Sequence, residues 1–200
     1  MRDILRMVLV LTAICLLSAF SLTALNEGLA GQIAKQQRDN VQVPRAREVL
    51  GETPADFAER YFEIEVDGVS WAVFPRVEGG RCSAIALEST GRGGYAGDVK
   101  VIAGVDLESG AILGVRVTQS SETPGIGSRV AEPSYLRVYR GRPLKGTAFS
   151  LRAEGGDIEA VSGATRTSAA VVDGVRRAAE FVLAHRDEIV RRALGGQAGS

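Results

Sequence analysis

The stretch that most constrains this chain is ILRMVLVLTAICLLSAFSLTAL, residues 4 to 25, an apolar run interrupted only by Arg6. As a helix rising ~1.5 Å per residue it reaches about 33 Å. That length spans a hydrocarbon core of about 30 Å. A cleaved signal peptide also begins with a short basic start and an apolar run, but this run is long and no A-x-A site follows it. Cys15 is not preceded by a small residue, which argues against lipoprotein processing. Arg2 and Arg6 precede the apolar centre, whereas Asn26, Glu27 and Gly28 follow it. By the positive-inside tendency, residues 1–3 are the cytoplasmic N-terminus, residues 4–25 a single transmembrane helix, and everything after residue 26 extracytoplasmic.

Charge narrows the partners. The chain has 24 basic and 24 acidic side chains and one His, so no overall charge draws it to nucleic acid. Cys15 lies in the apolar run and Cys82 is the only other thiol, which excludes an internal disulfide and suggests no metal cluster. With 200 residues, a single domain of moderate size beyond the anchor is the default.

Residues 26–60 place Leu29, Ile33, Val41, Val49, Leu50 and Phe57 among polar residues, with breaks at Pro44 and Gly51. Such sparse apolar positions do not support an independent helix pair, so this segment reads as a helical stalk and loop, partly docked on the domain. From Tyr61 the period changes to two. YFEIEV and VSWAVFPRV flank Asp67-Gly68, a hairpin turn signal. CSAIALEST, DVKVIAGVDL and AILGVRVT continue an antiparallel meander whose strand order is not readable. A short helix is expected near Ser134, and TAFSLRAEGGDIEAV reads as one further strand with a Gly-Gly turn. The last element is a long amphipathic helix. Val171, Val172, Val175, Ala178, Ala179, Val182 and Leu183 form its apolar face, while the lone His185 reads as a surface residue near its end. The expected fold is therefore α+β, with a domain over 61–194 and a flexible tail over 195–200.

Two stretches carry more than folding requires. In QSSETPGIGSRV, Pro124-Gly125 suits the centre of a type II turn, and Gly127 adds a second place where backbone can approach a ligand. Such a loop is often only a turn. SGATRTS, residues 162 to 168, crowds small residues and hydroxyls at the start of the long helix. One hydroxyl suffices to cap it, and Ser162 or Thr167 could do so. The helix start also presents unpaired amides and the positive end of the dipole, a place for phosphate. Thr165 sets a hydroxyl at the mouth of that place, with Arg166 beside it.

The N-terminal anchor, GYAGDVKVIAGVD at 94–106, GVRVTQSSETPGIGSR at 114–129 and DIEAVSGATRTSAAVV at 157–172 together resemble the G subunit of the Rnf-type ion-translocating ferredoxin:NAD oxidoreductase. The resemblance implies an FMN joined through its phosphate to Thr165, held by Ser162, Gly163 and Ala164. It implies ring contacts from Glu122, Thr123, Pro124, Gly125 and Ile126, with Tyr95 a weaker candidate. Asp157 would belong to the sequence read by a flavin transferase. The implied role is electron relay beside other membrane and iron–sulfur subunits, on the outer side of a bacterial or archaeal cell membrane, with no catalytic residue of its own. The flavin would carry the redox chemistry and the protein would set its position and potential. The related C subunit of the sodium-translocating NADH:quinone reductase is typically longer before its E-T-P-G region. Three other readings stay open: a C-subunit-like carrier, another extracytoplasmic FMN-binding carrier, and a cofactor-free membrane-anchored scaffold.

Overall fold

The computed structural model describes residues 2–195; Met1 and residues 196–200, most of the expected tail, lie outside the described residues. The chain divides after Asn40 into two compact units. The first is built on α1, Arg2–Gln37, a helix of 36 residues with none buried. Its apolar side chains, such as Leu9, Leu16 and Phe20, are exposed. The helix is long and apolar enough to cross a membrane.

The expected stalk-and-loop segment 26–60 takes more than one form. Its first part continues α1 to Gln37, and a π-helical turn follows at Arg38–Gln42. Then comes α2, Val43–Leu50, which tolerates Pro44 because the first helical turn has no intrahelical amide bond to lose. Val43, Ala46, Val49 and Leu50 are buried with Phe57, which comes from a 3₁₀ turn at Ala55–Arg60.

Five strands follow: β1 Phe62–Val66, β2 Val69–Glu78, β3 Arg81–Gly91, β4 Val99–Asp106 and β5 Ala111–Gln119. They form one antiparallel meander in the order β1-β2-β3-β4-β5. Asp67 and Gly68 both have positive φ (52° and 72°) between the paired Val66 and Val69, the geometry a two-residue hairpin needs. Both sheet faces are covered, so the alternation along β3 sorts apolar residues between two cores. Ala84 and Ala86 join Phe74, Ile102 and α2 on one side. Ile85 and Leu87 join Val101, Ala103, Val105 and the C-terminal helix on the other. Gly104 of β4 gives α2 its place, because a Cβ there would meet Val49 at 3.0 Å.

After β5 the chain passes through α3, Pro133–Leu136, and short 3₁₀ turns to α4, Thr165–Ala193. The further strand expected in 147–161 does not form. Leu151 and Ile158 make a single parallel bridge around a 3₁₀ turn. The amides there are satisfied locally, Arg152 N–H by the Ile158 carbonyl and Gly156 N–H by the Leu151 carbonyl, so no edge is left for the sheet. Leu144, Phe149, Leu151 and Ile158 instead join the α4-side core.

The contact that sets α4 is nearly side-chain-free. A Cβ on Gly91, at the end of β3, would overlap the Ala170 carbonyl, and one on Gly174 would lie 2.7 Å from a Val101 methyl. The Ser89 hydroxyl donates to the Gly174 carbonyl at 2.6 Å, closing the junction. The expected apolar face is buried except for Leu183, which is half exposed. Phe181 takes the core position instead, stacked on Trp71 with centroids 4.2 Å apart. The buried stripe follows 171, 175, 178 and 182 with 174 and 181 on its flank, and 183 falls outside that arc. His185 is not at the helix end either. It sits at a kink (φ −117°, ψ 16°), half-buried, with its ring 4.6 Å from Phe181, and the helix continues to bury Ile189.

Because nothing soft can give way at Gly91, Gly91→Ala is expected to lower stability by about 3 kcal/mol, the upper part of the range for overpacking. Urea unfolding of the detergent-solubilised chain, followed by far-UV circular dichroism, measures the loss.

Candidate functional site

The start of α4 owes its form to a turn just before it. The Val161 carbonyl accepts the Ala164 amide at 2.9 Å, and Gly163 takes φ 78°, a conformation that side chains other than glycine's strain to adopt. Ser168 braces the turn from inside: its buried hydroxyl accepts the Val161 amide at 2.9 Å. The N-cap is Ala164, and no side chain caps the helix. Neither Ser162 nor Thr167 acts as the cap. The Ser168 amide bonds the Ala164 carbonyl at 2.8 Å, so intrahelical bonding begins there. The amides of Thr165, Arg166 and Thr167 therefore precede the first intrahelical bond and face the positive end of a 29-residue helix. Thr165 is exposed, Thr167 is buried, and Arg166 has no ion-pair partner among the described residues.

The loop after β5 closes the opposite wall. The Thr123 carbonyl accepts the Ile126 amide at 3.3 Å across Pro124 and Gly125, and Gly125 has φ 79°, which makes this the expected type II turn. The Gly125 amide donates to the Ser128 hydroxyl at 2.9 Å. Ile126 is left half exposed, and a Cβ on Gly163 would lie 3.9 Å from its methyl. The two motifs, well separated in sequence, thus meet.

Glu122 holds a third segment to this pair. It is only 8% exposed, and its Oε1 accepts the Tyr95 amide at 2.7 Å and the Ala96 amide at 3.1 Å. Two consecutive amides on one carboxylate oxygen make the strong, charge-assisted kind of hydrogen bond. Two glycines leave room for it. A Cβ on Gly94 would sit 2.6 Å from Oε1, and one on Gly127 would sit 2.7 Å from Oε2.

These segments enclose a cavity of about 540 Å³ lined by Tyr95, Glu122, Thr123, Ile126, Gly127 and residues 163–167. That size is typical of a small-molecule or cofactor site. The structure brings Glu122, Thr123, Ile126, Gly163, Ala164 and Thr165 together at the cavity, whereas Ser162, Pro124 and Gly125 shape the turns and do not line it. Gly127 and Thr167 do line it; the first was legible as a free-backbone position, whereas nothing in the sequence distinguished the second from a cap. Open helix-start amides, a hydroxyl beside them and a partly apolar wall fit a flat ring carrying a phosphate, so the residues present suit FMN.

Asp157 is apart from the cavity. Its carboxylate is exposed and accepts from Arg142 Nη1 at 2.6 Å. That bond, with the charge of the same guanidinium, holds the carboxyl below the usual aspartate range.

Residues 94–180 match the family model described as FMN-binding domain. The G subunit of the ion-translocating oxidoreductase complex from Vibrio vulnificus is 38% identical over 120 residues, 58% of this chain and 56% of that one. Its counterpart from Vibrio parahaemolyticus gives the same figures. This chain therefore spans little more than half the length of these relatives. The corresponding protein from Shewanella oneidensis is 27% identical over 202 residues, 92% of this chain and 94% of that one. Among solved structures, the C subunit of the Na(+)-translocating NADH-quinone reductase from Parabacteroides distasonis aligns with TM-score 0.55 and 18% identity, over 84% of this chain and 97% of that one. NqrC from Shewanella oneidensis aligns at 0.50 and 22%, over 69% and 77%. These two share the fold. Residues 94–180 are thus similar to an FMN-binding domain, and the chain is similar to the G subunits.

A depressed carboxyl gains its extra stabilisation above its ordinary pKa and loses it as pH falls through the lowered value. Arg142→Ala is therefore expected to move the Asp157 titration upward, toward the ordinary aspartate range. Carboxyl-carbon NMR of the labelled protein across the acid range reads the shift.

Proposed function

We propose that this protein is a membrane-anchored flavoprotein subunit that relays electrons within an Rnf-type ion-translocating complex, through an FMN esterified by its phosphate to Thr165. The observation that carries the reading is the meeting of Thr165, the open amides of 165–167 and the 122–127 loop at one cavity. In this reading the ester oxygen is the Thr165 hydroxyl oxygen, and the phosphate's remaining oxygens take the amides that no cap occupies. Arg166 supplies the countercharge. A lone cation in a first helical turn opposes the dipole by roughly 0.3–1 kcal/mol, and a phosphate there reverses the sign. Thr123 and Ile126 bound the ring's side of the cavity, with Tyr95 at its rim. When bound, FMN supplies redox chemistry that exchanges electrons in pairs or singly. Covalent attachment keeps the group from being lost to an open aqueous compartment.

Asp157 is the surface group offered to a flavin transferase. The α1 helix is the single-pass anchor in a bacterial cell membrane. The domain lies on its extracytoplasmic side, because Arg2 and Arg6 mark the cytoplasmic end. Other members of the complex, membrane-bound and iron–sulfur, are the partners.

Intact mass is the decisive measurement. The full chain, coexpressed with a flavin transferase in an exporting host, is expected to gain one FMN phosphoester and to stay yellow after denaturation. Thr165→Ala is expected to remain unmodified, and Asp157→Ala to be labelled at a reduced level. An unlabelled wild type, in cells that label a control domain, defeats the assignment and favours a cofactor-free scaffold.

A further inference from the structure

Glu122 is used only in part by the contacts around it. Its Oε1 is committed to the Tyr95 and Ala96 amides, while among the described residues no donor meets Oε2. The side chain is more than nine-tenths buried and lines the cavity, so the little of it that stays uncovered opens there. With no donor among the described residues, Oε2 is left to accept from, or act electrostatically on, a group held in the cavity. Gly94 and Gly127 both vacate space for this carboxylate.

Resting on the flavoprotein reading above, we infer that Glu122 is a positioning residue with two tasks: Oε1 anchors the Gly94–Gly97 loop as a wall of the flavin pocket, and Oε2 places a fixed negative charge and hydrogen-bond acceptor toward the ring. Reduction of a flavin by two electrons with uptake of one proton leaves a negative charge on the ring. A carboxylate fixed at the wall of the cavity opposes that charge and lowers the midpoint potential. The residue thus biases the bound group toward giving electrons away.

Two substitutions separate the tasks. Glu122→Gln removes the charge but keeps a carbonyl oxygen, which the two amides hold in place of Oε1. Glu122→Ala removes both. The flavin-loaded full chain in detergent is titrated with dithionite at controlled potential, and amide hydrogen exchange at Tyr95 and Ala96 is followed in the flavin-free chain. Glu122→Gln is expected to raise the midpoint potential while leaving both amides as protected as in the wild type. Glu122→Ala is expected to speed their exchange at least tenfold. A flavin-loaded Glu122→Gln with the wild-type potential overturns this inference and leaves the flavoprotein reading intact. Equal exchange in Glu122→Ala and wild type overturns the anchoring task. A wild type that takes up no FMN under labelling conditions overturns the flavoprotein reading and this inference with it.

Discussion

Everything in the second unit is referred to the place where α4 touches β3 without side chains between them. Gly91 admits the Ala170 carbonyl and Gly174 admits Val101 and the Gly91 backbone, while the Ser89 hydroxyl ties the two elements. Helices usually pack on sheets across a layer of side chains, and here that layer is missing at one point. The helix therefore has little freedom to slide or roll there. Its first turn lies only a few residues upstream, so the position of Thr165 relative to the sheet is set by backbone contact rather than by adaptable side-chain packing.

The cavity wall opposite depends on a different kind of contact. The 122–127 loop is exposed along most of its length and has few apolar anchors of its own. Rigidity comes from one buried carboxylate and the two amides it accepts, together with a type II turn closed by Thr123 and braced by Ser128. The site is thus half defined by packing and half by hydrogen bonding. The two halves should respond differently to denaturant and to charge.

Much of this was legible beforehand because it is local. The Asp67-Gly68 turn, the five alternating strands and the Pro124-Gly125 turn each declare themselves within a few residues, and the packed C-terminal helix follows from its apolar stripe. What escaped was set by long-range geometry. A strand read over 147–161 has suitable apolar residues, but its amides close on themselves and the chain plugs one end of the core. Leu183 is apolar in a stripe whose neighbour Phe181 meets Trp71, a partner more than a hundred positions earlier. At the site, the E-T-P-G and S-G-A-T stretches were conspicuous, whereas the part Glu122 plays was not. Its partners are backbone amides at 95 and 96, which leave no mark in the identity of those side chains.

SGATRTS has four hydroxyls, and the fold does not treat them alike. Thr167 and Ser168 are buried, Ser168 with its oxygen engaged by the Val161 amide, while Ser162 and Thr165 are exposed. An enzyme that meets this stretch as loose chain is offered four chemically similar alcohols, and one that meets it folded is offered two, of which only Thr165 borders the cavity. Regioselectivity is then partly a property of the substrate's tertiary structure. On the proposed attachment of FMN, the order of events, folding before modification or after it, would be written into which hydroxyl is chosen.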